Sequence, residues 1–319
     1  MLKRKFLALG AMLIAVGAMT ACSSKQEATK SNEEVQTQAS ETEAKADEMP
    51  DTIVYGMSTS PSGDFNPVLT DSIYDDAVCG LVYTSLLKLD EEQNLMPYLA
   101  KEYTVSDDQK TITFTLNDNL KWSDGEALTS KDVAYTFNAL GNADYTGEYG
   151  SYVKKIKGAA EYKEGKAESI SGIETPDDNT IKIEFETAYG PGLTNLGCMG
   201  IIPEHIWSKI PEGEWKNNKE ALTNPVGNGP YKLVSFNEGQ DVKFVKNEDF
   251  FGGEVKTSNI IFKVIGEDTV AADLKNGTID MAAVSNLKKA DIEELEGAGF
   301  KIYRHPNNLF QYMGLNYRN

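Results

Sequence analysis

The sequence predicts a mixed α/β or α+β body, and three observations carry that reading. Apolar residues alternate with polar ones at Ile112, Phe114 and Leu116, the two-residue period of a half-buried strand. They recur at helical spacing at Ile73, Ala77 and Leu81. Turn signals such as Asp107-Asp108, Asp124-Gly125 and Asn237-Glu238-Gly239 separate the periodic segments.

Taken in order, Thr52–Met57 reads as a first strand, followed by a loop through Pro61, Gly63 and Pro67. Ile73 to Leu87 reads as a helix. Glu102–Val105 and Thr111–Leu116 read as a hairpin turned at Asp107-Asp108. Thr129-Ser130-Lys131-Asp132 has the form of a capping box, with Thr129 capping and Asp132 reaching back. The helix it opens carries Val133, Phe137 and Leu140 on one face and stops at Gly141-Asn142. Tyr145 to Ser171, rich in Tyr, Gly and Lys, has no clear period. Asp177-Asp178-Asn179 turns into a strand over Ile181–Phe185. Tyr231–Phe236 and Val242–Lys246 form a second hairpin, and Asn259–Val264 a further strand. Asp268 is placed to cap a helix running to Lys275 and closed by Gly277, and Ser285 to cap another closed by Gly297. Phe310–Asn316 reads as a final strand.

The first fifty residues read differently. Lys3, Arg4 and Lys5 precede an apolar run from Phe6 to Met19, too short to span a bilayer comfortably, which is the layout of a secretory signal peptide. Thr20-Ala21-Cys22 at its end resembles a bacterial lipobox, with Met19 where Leu is usual. That resemblance implies cleavage after residue 21 and diacylglyceryl attachment to the sulfur of Cys22. Residues 22–50 are polar, lack aromatic side chains and carry only Val35 and Met49 as large apolar residues. Such a segment buries too little apolar surface to offset its ordering entropy and reads as a disordered tether. The globular body is then 51–319.

Bulk properties exclude some partners. The chain of 319 residues carries a formal net charge of −18, which disfavours nucleic acid and anionic membrane surfaces. Contact with a membrane is expected only through the lipid anchor. Cys79 and Cys198 form neither a disulfide framework nor a metal cluster, and each sits in an apolar stretch, as buried cysteines do.

No catalytic constellation emerges. Gly227-Asn228-Gly229 lacks the third glycine of a dinucleotide fingerprint and the Lys-Ser/Thr pair of a phosphate loop, so it reads as a structural turn. Asp124 and Glu126 lie on a turn beside Trp122 and read as solvated rather than as an acid–base pair. His205 and His305, the only histidines, have no flagged base or nucleophile nearby and no i, i+4 ligand spacing. Hence no catalytic residue, no metal site and no cofactor are assigned.

The segment Leu120-Lys121-Trp122-Ser123-Asp124-Gly125-Glu126-Ala127-Leu128-Thr129-Ser130-Lys131-Asp132-Val133 resembles the signature of family 5 extracellular solute-binding proteins, the oligopeptide-, dipeptide- and nickel-binding group. Leu95-Met96-Pro97-Tyr98-Leu99-Ala100 is similar to the family's approach to it. Asn224-Pro225-Val226-Gly227-Asn228-Gly229-Pro230-Tyr231, Asn276-Gly277-Thr278-Ile279-Asp280-Met281 and Gln311-Tyr312-Met313-Gly314-Leu315-Asn316 follow in the family's order. Ile202-Pro203-Glu204-His205-Ile206-Trp207 resembles its Pro-Lys-His-Ile helix start, with Glu for Lys.

The resemblance implies an α/β, periplasmic-binding-protein type II-like first lobe with an α+β subdomain inserted over about 86–170. Members continue past the hinge strand into a second lobe, which is expected to be missing here after Asn319, through a fragment or a truncated gene. It also implies the substrate-binding lipoprotein of an ABC importer: a monomer that captures peptides outside the cell and hands them to permease subunits without catalysis. A nickel complex or another small solute is an alternative ligand. A truncated, non-transporting surface lipoprotein and, further off, a secreted hydrolase are competing readings. Ligand contacts are expected at Met57, Ser58, Thr59 and Ser60, where the first strand ends in hydroxyls and backbone groups. Tyr312, on the strand entering the hinge, is a further candidate.

Overall fold

The structure is a computed structural model that describes residues 51–283 and 288–303. The leader to Ala21, the lipidation candidate Cys22, the segment to Pro50, Ser285, His305, Tyr312 and the strand expected over Phe310–Asn316 lie outside the described residues.

Among the described residues, eleven strands form three sheets. The strands are β1 Thr52–Met57, β2 Leu87–Leu89, β3 Leu95–Pro97, β4 Ala100–Val105, β5 Thr111–Leu116, β6 Ile173–Asp177, β7 Thr180–Glu184, β8 Tyr231–Asn237, β9 Asp241–Lys246, β10 Asn259–Val264 and β11 Met281–Ala282. The helices are α1 Ile73–Val82, α2 Ser130–Gly141, α3 Ala159–Lys163, α4 Gly192–Gly197, α5 Glu204–Trp207, α6 Lys219–Thr223, α7 Val270–Lys275 and α8 Lys289–Gly297.

The larger sheet runs β11-β1-β10-β9-β8. In it β1 is parallel to both its neighbours, with Thr52 opposite Asn259 and Tyr55 opposite Met281. The strands β10, β9 and β8 continue antiparallel. β2 and β3 form a two-stranded antiparallel sheet, and the four-stranded sheet, β4-β5-β7-β6, is antiparallel throughout and joins β4 and β5 to two strands that lie after residue 170. The alternation seen in β5 is that of a strand with one covered face: Ile112, Phe114 and Leu116 are buried and the residues between them are not. In β7, Ile181 and Ile183 do the same, and α2 packs on β6 and β7. Burying Phe114 completely contributes about 2–3 kcal/mol. The core is continuous, reaching from Phe244 and Phe262 in the larger sheet through Val78 and Val82 of α1 to Phe114 and Phe137.

Both hairpins, the strand at Asn259–Val264 and the capping box form as the sequence leads one to expect. The Thr129 backbone N–H donates to Asp132 Oδ2 at 2.9 Å, and the Thr129 hydroxyl accepts from the first turn of α2. The irregular span after α2 holds a 3-10 turn over Tyr149–Ser151 and the short α3.

Four details differ from the sequence reading. The first helix stops at Val82 rather than Leu87, because its continuation is claimed by distant groups. The Thr84 N–H donates to Asn228 Oδ1 at 2.8 Å and the Thr84 carbonyl accepts from Ile201 N–H at 3.1 Å. Both groups would be needed for a longer helical ladder, so Tyr83 turns extended and Leu87 opens β2. Gly141 does not end α2 by a left-handed turn. It is the last helical residue, and a Cβ there would lie 2.8 Å from Ile170 Cδ1, so glycine is what lets Ile170 seat on the helix. Asp268 does not cap α7; it lies within a 3-10 turn, Glu267–Thr269, that precedes the helix. The strand β6 was not foreseen, since four of its five residues, Pro176 among them, are exposed and leave no period to read.

Candidate ligand-binding site

The first strand ends inside the sheet. Met57 is buried, faces Val264 across the β1–β10 pair, and its carbonyl accepts the Ile265 N–H at 2.9 Å. The chain leaves the sheet at Ser58, and Thr59 is the exposed residue of the Ser58–Ser60 turn. Ser60 Oγ accepts the Gly239 N–H at 2.9 Å, which ties this turn to the tip of the β8–β9 hairpin. Ser58 Oγ lies 3.3 Å from the Tyr74 hydroxyl, which joins it to the first turn of α1. The hydrogen bond from Ser58, with a second from Thr59, draws the Tyr74 phenol below its ordinary value, against opposing effects of burial and Glu267.

One side chain organises the loop between β1 and α1. The Asp75 carboxylate, fully buried, accepts from Ser62 N–H at 3.0 Å, Ser62 Oγ at 3.2 Å, Gly63 N–H at 2.9 Å and Asp64 N–H at 3.0 Å. Four donors compensate the buried charge, and its place in the first turn of α1 suits the helix dipole. Gly63 needs its left-handed φ of 88° to present that N–H. The loop is therefore built to one shape, with Ile73 left 74% exposed beside it at the start of α1.

On the other side of α1 lies a cleft of about 400 Å³. Asp76, Cys79 and Tyr83 line it from the helix and its exit, Tyr149 and Tyr152 from the 3-10 turn, and Met199 from the segment after α4. The two tyrosine rings are 5.5 Å apart and inclined by 57°. The Asp76 carboxyl is pushed up by burial, then by Asp75 and Asp71. Burial also pushes Cys79 well up, and Cys198 up, which disfavours the reactive thiolate in both. The cysteines, read from the sequence as separate core residues, share this cleft.

The motif blocks turn out to be scaffold around these features. Ser123 N–H donates to the Gly227 carbonyl at 2.7 Å, Gly227 N–H donates to Ser123 Oγ at 3.2 Å, and Lys232 Nζ donates to the Ser123 carbonyl at 2.9 Å. Asp280 Oδ2 accepts the Val54 N–H at 2.7 Å while its own N–H donates to the Val54 carbonyl at 2.8 Å, which seats β11 on β1. His205 and Asp124 are brought together, Nε2 to Oδ2 at 2.8 Å, with the imidazole near the Trp122 ring. The pair pins the Trp122–Gly125 turn to α5; sequence separation of 81 positions hid it.

Sequence reasoning missed Asp75, Asp76 and Tyr149. The only signal was two adjacent acidic residues at the start of an amphipathic helix, which reads as ordinary dipole complementarity.

Comparison with known proteins gives a consistent picture. The family model of bacterial extracellular solute-binding proteins, family 5, matches residues 94–319. The oligopeptide-binding protein AppA of Bacillus subtilis is 27% identical over 259 residues, 79% of this chain and 45% of AppA. The structure of AppA with a nonapeptide superposes with a TM-score of 0.67 at 24% identity, over 77% of this chain and 45% of that one. NikZ from Campylobacter jejuni, in complex with Ni(L-His), gives a TM-score of 0.64 at 27% identity, again over 77% and 45%. The chain spans about half the length of the curated relatives it matches. With the model covering most of the sequence and the motif blocks meeting in one scaffold, the chain belongs to the family 5 bacterial extracellular solute-binding proteins.

Proposed function

We propose that this chain is the ligand-capturing part of an ABC importer's solute-binding protein and that its ligands are peptides. The observation that carries the reading is the family match over residues 94–319, together with a preformed loop between β1 and α1. Ser58, Thr59 and Ser60 offer hydroxyl and backbone groups where β1 leaves its sheet, with Met57 as the buried anchor behind them. A ligand lying extended along this turn would exchange backbone hydrogen bonds with it, and the rigid loop would lose little entropy on binding. Tyr312 is proposed as a further contact.

In the same proposal, residues 51–319 form a first lobe carrying an inserted subdomain, expected over about 86–170, and a second lobe completes the clamshell; the β4-β5-β7-β6 sheet supports carrying the subdomain's end past residue 170 to include β6 and β7. Hinge closure would trap the ligand between lobes. The protein acts without catalysis, as a monomer, and hands its ligand to permease subunits. Cys22 carries the lipid anchor on the outer face of the membrane, and residues 23–50 act as the tether; the short apolar run and Thr20-Ala21-Cys22 support this. Labelling with radioactive palmitate, lost in Cys22→Ala, tests the anchor.

Isothermal titration with a set of di- to nonapeptides tests the binding reading. Saturable binding is expected, and Thr59→Trp should weaken it at least tenfold with an unchanged far-UV spectrum. Absence of saturable binding to every peptide overturns it. Likeness to NikZ supports a second reading, a nickel complex, which Ni(L-His) in the same titration distinguishes.

A further inference from the structure

The cleft beside α1 is charged in one sense only. Among the described residues, Asp76 is the one carboxylate that lines it, and no lysine, arginine or histidine does. Asp76 is exposed, so its carboxylate is open to an incoming group. Its neighbours do not neutralise it. Asp75 spends its charge on four donors of the preceding loop and still adds a negative field, as does Asp71, which has Lys216 Nζ 4.0 Å from its Oδ2. Every influence on the Asp76 carboxyl raises its pKa, burial first, and no donor or cation among the described residues offsets them.

The cleft is also lined by aromatic rings. Tyr149 and Tyr152 stand in contact with each other, and the Asp76 charge acts on the Tyr149 phenol. Tyr83 and Met199, both nearly buried, close the floor with further polarisable surface. A carboxylate lacking a counter-charge, set against aromatic faces in a cleft of about 400 Å³, is complementary to an organic cation. An ammonium or guanidinium group gains a charge-assisted hydrogen bond from the carboxylate and cation–π attraction from the rings. An anion would meet repulsion from Asp76, with Asp75 behind it.

We infer that this cleft is a specificity pocket for a positively charged amine or guanidinium group, held between Asp76 and the Tyr149–Tyr152 pair. The inference rests on the peptide-binding reading and narrows its substrate class to cationic peptides. The group is supplied either by a lysine or arginine side chain or by the peptide's amino terminus.

Titration of the chain with Ala-Lys-Ala, Ala-norleucine-Ala and N-acetyl-Ala-Lys-Ala separates these sources. A side-chain pocket binds the lysine peptide at least tenfold tighter than the norleucine peptide and tolerates acetylation. An amino-terminal pocket loses at least tenfold on acetylation and ignores the lysine-to-norleucine change. In either case Asp76→Asn abolishes the preference and Tyr149→Leu reduces it, while the peptide that lacks the recognised group still binds. Equal affinities for all three peptides, or a preference that survives Asp76→Asn, overturn the inference and leave peptide binding standing. If none of the three binds at any concentration reached, the inference falls, and the di- to nonapeptide titration decides the peptide-binding reading separately.

Discussion

Asn228 holds Thr84 by two hydrogen bonds at once: its Oδ1 accepts the Thr84 backbone N–H at 2.8 Å, and its Nδ2 donates to Thr84 Oγ1 at 2.8 Å. The residues are 144 positions apart and both are buried. This clamp fixes where α1 ends, and so fixes the wall on which Asp76, Cys79 and Tyr83 are displayed.

Asn228→Ala should cost about 3 kcal/mol. It leaves a buried backbone N–H and a buried hydroxyl without their partner, and each orphaned group costs about 1–3 kcal/mol. Urea unfolding followed by tryptophan fluorescence measures the loss.

The glycines flanking Asn228 should be less tolerant than those of exposed turns. A Cβ on Gly227 would lie 1.9 Å from the Val82 carbonyl oxygen, and one on Gly229 2.5 Å from that of Leu81. These are backbone atoms that cannot swing away. Gly227→Ala is expected to cost more than about 3 kcal/mol, because overpacking against fixed atoms forces a backbone shift. Gly239→Ala, at a φ of 72° with open space around it, should cost only about 1–2 kcal/mol from its left-handed backbone. Paired denaturation curves test the contrast.

Asp75→Ala should loosen the loop that leads from β1 to α1. Four donors lose their acceptor, including the Gly63 and Asp64 amides, and a loss of about 3 kcal/mol is expected. Asp75→Asn keeps one acceptor oxygen and should cost about half as much. Hydrogen exchange at Gly63 and Asp64 should speed up in both variants while β5 amides keep their protection. Unchanged exchange at Gly63 would remove Asp75 from this role.

Asp76 gives a pH signature. Its folded pKa is raised above the unfolded value, so the wild-type protein gains from protonation and is weakened as pH climbs through the folded pKa. Asp76→Asn is always neutral. The variant should approach wild type as pH falls below about 4, where Asp76 becomes protonated in both folded and unfolded chains, and should be the more stable of the two at pH 7. The carboxylate is solvent-exposed, so the gain is small, under about 1 kcal/mol. Thermal melts at pH 3.5 and pH 7 check the sign.

What the sequence alone determined is local. The alternation in β5, the capping box of Thr129 and Asp132, the β8–β9 hairpin and the ends of β1 and β10 follow from side-chain period and turn chemistry, which act over a few residues. The ordered motif blocks were legible too, but the reason for each residue in them was not. Gly227, Asn228 and Asp280 are scaffold, explained only by their contacts with Val82, Thr84 and Val54.

Tertiary structure decided the rest. Thr84 could have continued a helix, and only the competing donors and acceptors of Asn228 and Ile201 pull it out of one. Asp75 and Asp76 are adjacent and look alike in the sequence. Helical geometry turns one into the buried hub of a loop and leaves the other facing a cleft with Tyr149, 73 positions away in the chain. Which face a side chain occupies depends on what packs there, and that is set by long-range burial, the one quantity that a short stretch of sequence does not carry.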